Sequence, residues 1–133
     1  MKTRILIILC SFVFIYCQNN IYVKGEGLYI TYCSNCHGKD GNGLKNLYPP
    51  LNQSDFYQEN LEKVPCIILN GLEDEITVNG NNFMMPMEGV PNLTDVDITN
   101  LINYINTAWD NNLPEITLVD VKKNLEACNM DEN

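Results

Sequence analysis

Positive charge is scarce in this chain. Eight lysines and arginines stand against seventeen acidic residues, giving a formal charge of −9 and a pI near 4.3. Nucleic-acid binding is thereby excluded, because phosphate backbones demand clustered basic side chains. Histidine occurs once, at His37, and no second C-x-x-C exists. A zinc site built from two ligand pairs therefore lacks half its donors. There are no internal repeats, no catalytic constellation stands out, and strand-type alternation is absent except at 75–79. Long apolar runs are missing too. The longest, "ILIILCSFVFIY" at 5–16, has twelve residues, too short to span a bilayer comfortably.

That run has its own meaning. Lys2 and Arg4 precede it as a positive n-region, so residues 1–16 read as a signal peptide. Cys17 follows, then "QNN". This resembles the lipobox of bacterial lipoproteins, with Cys17 as the lipidated mature N-terminus. Tyr16 departs from the small residue usual there, and plain cleavage is the alternative. Residues 18–24 read as a spacer. The expected location is the periplasm or cell exterior, with a lipid anchor at the membrane. Export also sorts the six cysteines. Cys10 leaves with the leader, and Cys33 and Cys36 form a motif. Cys66 and Cys128 remain, and an oxidising compartment makes them candidates for a disulfide rather than two separate buried thiols. It would tie the extension at 111–133 to the middle of one domain at 25–110.

Within that domain the pattern is helical. Leu28, Tyr29 and Tyr32 share one face of a short helix entering the motif. "HGKDGNG" (37–43) is too rich in glycine and asparagine for regular structure. "LYPPLNQS" (47–54) is extended, because residues before proline are pushed out of the helical region. Val64, Ile67, Ile68 and Leu72 place a helix across 59–72, with Pro65 tolerated in its first turn and Gly71 as a stop. Asn79-Gly80 marks a turn, and "MMPMEGVPN" (84–92) reads as a loop. The clearest helix follows Thr94, with Asp97 completing a weak capping box. Its apolar stripe runs through Ile98, Leu101, Ile102 and Ile105 to Trp109. A shorter stripe, Val121, Leu125 and Cys128, marks a helix in the tail.

The sharpest motif is "CSNCH", with Cys33, Cys36 and His37. Three chemistries use such a run: a redox dithiol, half a zinc site, or covalent attachment of c-type haem. A thioredoxin-like dithiol follows a strand and opens a helix, whereas here a helix precedes the motif and glycines follow it. Haem attachment has a geometric rationale. Two thiols add to the two vinyl groups of one porphyrin edge, and the adjacent histidine reaches the iron. An electron-transfer haem also takes a sixth ligand, often methionine. "FMMPM" (83–87) supplies three methionines around a proline.

Taken together these features resemble the small class I cytochromes c of bacteria. The resemblance runs from Gly25 to Trp109. It covers the helix before C-x-x-C-H, "HGKDGNG", "PPL", the Met-Pro loop and "LTDVDITNLINYI". It implies an all-α cytochrome c fold of about three to five helices around one covalently bound haem c. By the same resemblance, Cys33 and Cys36 hold the vinyl carbons and His37 is the proximal ligand. Pro49 fixes the histidine by its carbonyl, and Leu51 packs on the haem face. Met85, directly before proline, is the distal ligand, with Met84 and Met87 as alternatives. Gly25 and Tyr29 resemble the face where the first helix crosses the last, against Leu101 and Tyr104. Leu51, Ile67, Ile68 and Ile102 are expected as the apolar shell. The implied function is single-electron transfer and not enzymatic catalysis. The partners would be a redox donor and acceptor: a terminal oxidase, a reductase or a dehydrogenase. The rival readings are a peroxidase-like enzyme with an open iron position and a haem sensor or structural module.

Overall fold

A computed structural model describes residues 22–128. The leader at 1–16, Cys17 and residues 18–21 of the spacer lie outside the described residues. Six α-helices appear: α1 (Val23–Tyr32), α2 (Ser34–His37), α3 (Asp55–Glu59), α4 (Val64–Asn70), α5 (Asp95–Thr107) and α6 (Leu118–Cys128). Four short strands sit between α4 and α5: β1 (Gly71–Leu72), β2 (Ile76–Val78), β3 (Asn81–Phe83) and β4 (Met87–Glu88).

The fold is mostly helical, as the periodicity requires, but it carries more elements than three to five helices. The excess comes from the single-turn segments α2 and α3. The helix expected over 59–72 is broken up. Ser54 caps α3 by accepting from the Tyr57 N–H, a signal hidden behind the proline segment. Pro65 falls in the first turn of α4, where a missing N–H costs little. Gly71, at φ +90°, ends that helix. Leu72 therefore belongs to β1, antiparallel to β4, with Leu72 opposite Met87. Part of the expected Met-Pro loop is thus a strand. β2 and β3 form a hairpin about Asn79 and Gly80, both at positive φ, the geometry that favours Asn-Gly.

Helices α1 and α5 cross at the centre. A side-chain carbon on Gly25 would lie 2.7 Å from Tyr104 Cβ and would collide with the Asn100 carbonyl. Only glycine lets the two backbones approach this closely. Lys24 pairs with Asp97 at 2.7 Å beside the crossing. The capping box at Thr94 and Asp97 is complete. Tyr29, fully buried, packs against the Tyr104 and Trp109 rings at centroid distances of 5.5 and 5.0 Å. Helix α5 stops at Thr107. Trp109 lies in a 3₁₀ turn at φ 52°, not on a continuing helix.

The tail folds back as α6. Thr117 and Asp120 cap it reciprocally. Val121 is fully buried, and Cys128 is bonded to Cys66 on α4.

Candidate functional site

The turn from α1 into α2 presents the motif. The His37 N–H bonds the Cys33 carbonyl at 2.9 Å, closing one helical turn that holds Cys33, Cys36 and His37 together. Both cysteines are free thiols. Burial pushes the Cys33 thiol up to about 12, and Cys36 beside it adds to the shift.

After His37 the chain loops back on itself. The Gly43 N–H bonds the His37 carbonyl at 2.8 Å, and the Leu51 and Asn52 N–H groups both bond the Gly41 carbonyl. This brings Pro49 onto the imidazole, with His37 Nδ1 2.9 Å from the Pro49 carbonyl. A carbonyl can only accept, so Nδ1 carries the proton and the Nε2 lone pair is left for a ligand role. Burial lowers the His37 pKa, and the Pro49 bond partly opposes it. The ring is therefore held neutral and oriented. Gly43 is part of this support. It sits at φ +69°, and a side-chain carbon there would lie 2.7 Å from the Pro49 carbonyl group.

These residues line one cavity of about 520 Å³. Cys33, Cys36, His37, Pro49, Leu51 and Met85 all contribute to its wall. Met87 also lines it, whereas Met84 does not and is 74% exposed. Ile67 and Ile68 contribute from α4. Ile102 does not line the cavity; it is buried in the core, and Leu101 and Ile105 face the cavity instead. Leu51, Ile67 and Ile68 of the expected shell do line the cavity, and only Ile102 is displaced, by the phase of one helical residue.

Sequence reading missed the far wall. Tyr57, Val78 and Phe83, from α3 and the hairpin, are buried and line the cavity. The Tyr57 hydroxyl donates to Asn106 Oδ1 at 2.8 Å. Asn111 accepts from the Gln53 N–H at 2.7 Å and donates to the Leu51 and Ile105 carbonyls. It latches the Leu51 segment to the end of α5. Ser54 lines the cavity at 3% exposure. Among the described residues the cavity wall has no lysine or arginine, and its only carboxylates are Asp74 and Glu88.

The arrangement fits a large apolar cofactor with covalent and axial anchors. It offers two thiols, a neutral oriented imidazole and thioethers on one greasy enclosure. No three His, Cys, Asp or Glu side chains converge as a metal site among the described residues.

Comparison with known proteins agrees. Residues 22–105 match the family model described as cytochrome c oxidase, cbb3-type, subunit III. The chain is 31% identical over 83 residues to cytochrome c-552 of Thermus thermophilus, covering 58% of this chain and 62% of that one. It is 26% identical over 110 residues to the cytochrome c subunit of a quinone alcohol dehydrogenase from Gluconacetobacter polyoxogenes. That match covers 79% of this chain but only 23% of the subunit. A similar subunit of Gluconobacter oxydans is 25% identical over 103 residues. The chain thus spans about a quarter of the dehydrogenase subunits and under two thirds of the c-552 protein. With the model matched over more than half its length, the chain belongs to the cytochrome c family, whose cofactor is covalently bound haem c.

Proposed function

We propose that the protein is an exported, mono-haem electron carrier. The observation that carries this reading is the His37–Pro49 pair, set in one cavity with Cys33, Cys36 and Met85. Bound haem would supply the one-electron ferric–ferrous couple. Cys33 and Cys36 would hold it through thioether bonds. His37 would offer its Nε2 lone pair as one axial donor. The Pro49 carbonyl keeps the ring from rotating and makes it more basic. Met85 would offer the second axial donor, and a thioether raises the potential relative to a second histidine. With His37 and Met85 both given to the iron, no substrate would need to enter and no general base would be required. The apolar side chains of Leu51, Ile67, Ile68 and Phe83 line the site and would shield bound haem from water.

Processing of residues 1–16 and lipidation of Cys17 would tether the domain at 25–110 to a membrane surface. Tethering raises the effective concentration of membrane-bound partners. The similarity to cytochrome subunits of quinone alcohol dehydrogenases favours a dehydrogenase as donor, with an oxidase or reductase as acceptor. Absorption spectroscopy after expression with a c-type maturation system tests the ligand set. Sharp low-spin reduced bands, a methionine–iron charge-transfer band and resistance to carbon monoxide at neutral pH are expected. A high-spin spectrum with ready carbon monoxide binding would overturn the carrier in favour of an open-site enzyme or sensor.

A further inference from the structure

We propose that Ser54 is a further haem-binding residue, its hydroxyl donating a hydrogen bond to a carboxylate side arm of the cofactor. This rests on the haem reading above. Ser54 is 97% removed from solvent and lines the cavity. Its Oγ accepts from the Tyr57 N–H at 3.2 Å, which uses one lone pair. The hydroxyl proton has no acceptor among the described residues, so a buried donor is left unmade.

Haem brings two propionate carboxylates, and this cavity offers them no cation. Among the described residues no lysine or arginine lines it, and Asp74 and Glu88 would repel a carboxylate. His37 already commits its N–H to Pro49. Neutral hydroxyls are then the side-chain donors left to meet the negative charge. Four lie in the wall: Tyr32, Tyr48, Ser54 and Tyr57. Tyr57 is spent on Asn106, Tyr32 is about half exposed, and Tyr48 is only partly buried. Ser54 is the buried one whose proton is unassigned. Hydrogen bonds to a charged acceptor in a low-dielectric site are the strong ones. Such a bond draws negative charge away from the iron and so favours the reduced state.

A serine that serves only as the cap of α3 predicts a different outcome, so the two roles separate. The matured full chain would be compared with Ser54→Ala, Ser54→Thr and Ser54→Asp by spectroelectrochemical titration and by urea unfolding. Aspartate keeps the cap acceptor but cannot donate when ionised. The expected result is a downward shift of midpoint potential in Ser54→Ala, recovered in Ser54→Thr. Ser54→Asp should lower the potential further than Ser54→Ala, and its buried charge beside the cofactor carboxylate should lower the urea midpoint although the cap acceptor is kept. Wild-type potentials in Ser54→Ala and Ser54→Asp, with only the alanine variant less stable, would make Ser54 a cap alone and overturn the proposal. So would a threonine variant that falls as far as alanine. A wild-type protein without covalent haem would overturn the electron-carrier reading as well, whereas normal haem with unmoved potentials overturns only the role of Ser54.

Discussion

At the scale of single residues, the site depends on contacts that hold one ring in one orientation. Met85→Ala is expected to leave haem attached, lower the midpoint potential and admit carbon monoxide. The same behaviour from Met87→Ala, with Met85→Ala unchanged, would transfer the ligand role to Met87, which shares the cavity wall. Gly43→Ala acts on the support of His37. It places a side chain at φ +69° and against the Pro49 carbonyl, so a loss of at least about 1–2 kcal/mol is expected from thermal or urea unfolding. Tyr57→Phe removes the donor to Asn106 Oδ1, an acceptor on a residue only 1% exposed. Stranding that oxygen should cost about 1–3 kcal/mol by the same measurement. The anchors themselves are legible in sequence because they are contiguous: C-x-x-C-H, the double proline and the Met-Pro run. Ser54, Tyr57 and Asn111 are not. Tyr57 and Asn111 act through partners that only the tertiary fold supplies, 49 residues away for Tyr57 and 60 for Asn111 with Leu51, whereas Ser54 caps locally and only the fold puts it in the cavity wall.

At the scale of elements, two devices keep the helices in place. The capping box of α5 is coupled to α1 through Lys24 and Asp97. The Lys24 hydrogen bond, then the Thr94 bonds, lower the Asp97 carboxyl to about 2. A free aspartate titrates near 3.9. Its folded pKa is depressed, so its stabilisation is fully present above about pH 4. That contribution is lost as pH falls from about 4 towards 2. Asp97→Asn should therefore cost up to about 1 kcal/mol at neutral pH. The gap from wild type should close at low pH in urea titrations. The second device is the Cys66–Cys128 bond, which joins residues 62 apart and fixes α6 over α4. A loop of that length predicts a loss of about 2–4 kcal/mol when Cys128→Ser is compared with wild type. Helix α5 is legible because its apolar stripe is long and capped at the sequence level. The hairpin is legible only as Asn-Gly, since three-residue strands carry too little alternation to read. The single helix expected at 59–72 fails because apolar spacing there cannot tell a helix from a helix ending in a paired strand.

At the scale of the whole molecule, the excess of acid is a surface property with a kinetic consequence. The chain carries −9 overall, and among the described residues the charged side chains of the cavity wall are the carboxylates Asp74 and Glu88. Like charges repel and salt screens them. Reduction by a cationic complex such as hexaammineruthenium(II) should slow as ionic strength rises, and reduction by ferrocyanide should accelerate. The reverse order, followed by stopped-flow spectroscopy, would place a positive patch at the electron entry. Among the described residues no helix is long and apolar enough to cross a membrane. The central claim is that Cys33 and Cys36 carry haem. The most direct test is a denaturing gel stained for haem, run on protein matured with a c-type system beside a Cys33→Ser/Cys36→Ser double variant. Haem that survives denaturation in wild type and vanishes in the double variant is the predicted result. Wild-type protein that leaves the gel unstained would contradict the account and return the two thiols to dithiol or metal chemistry.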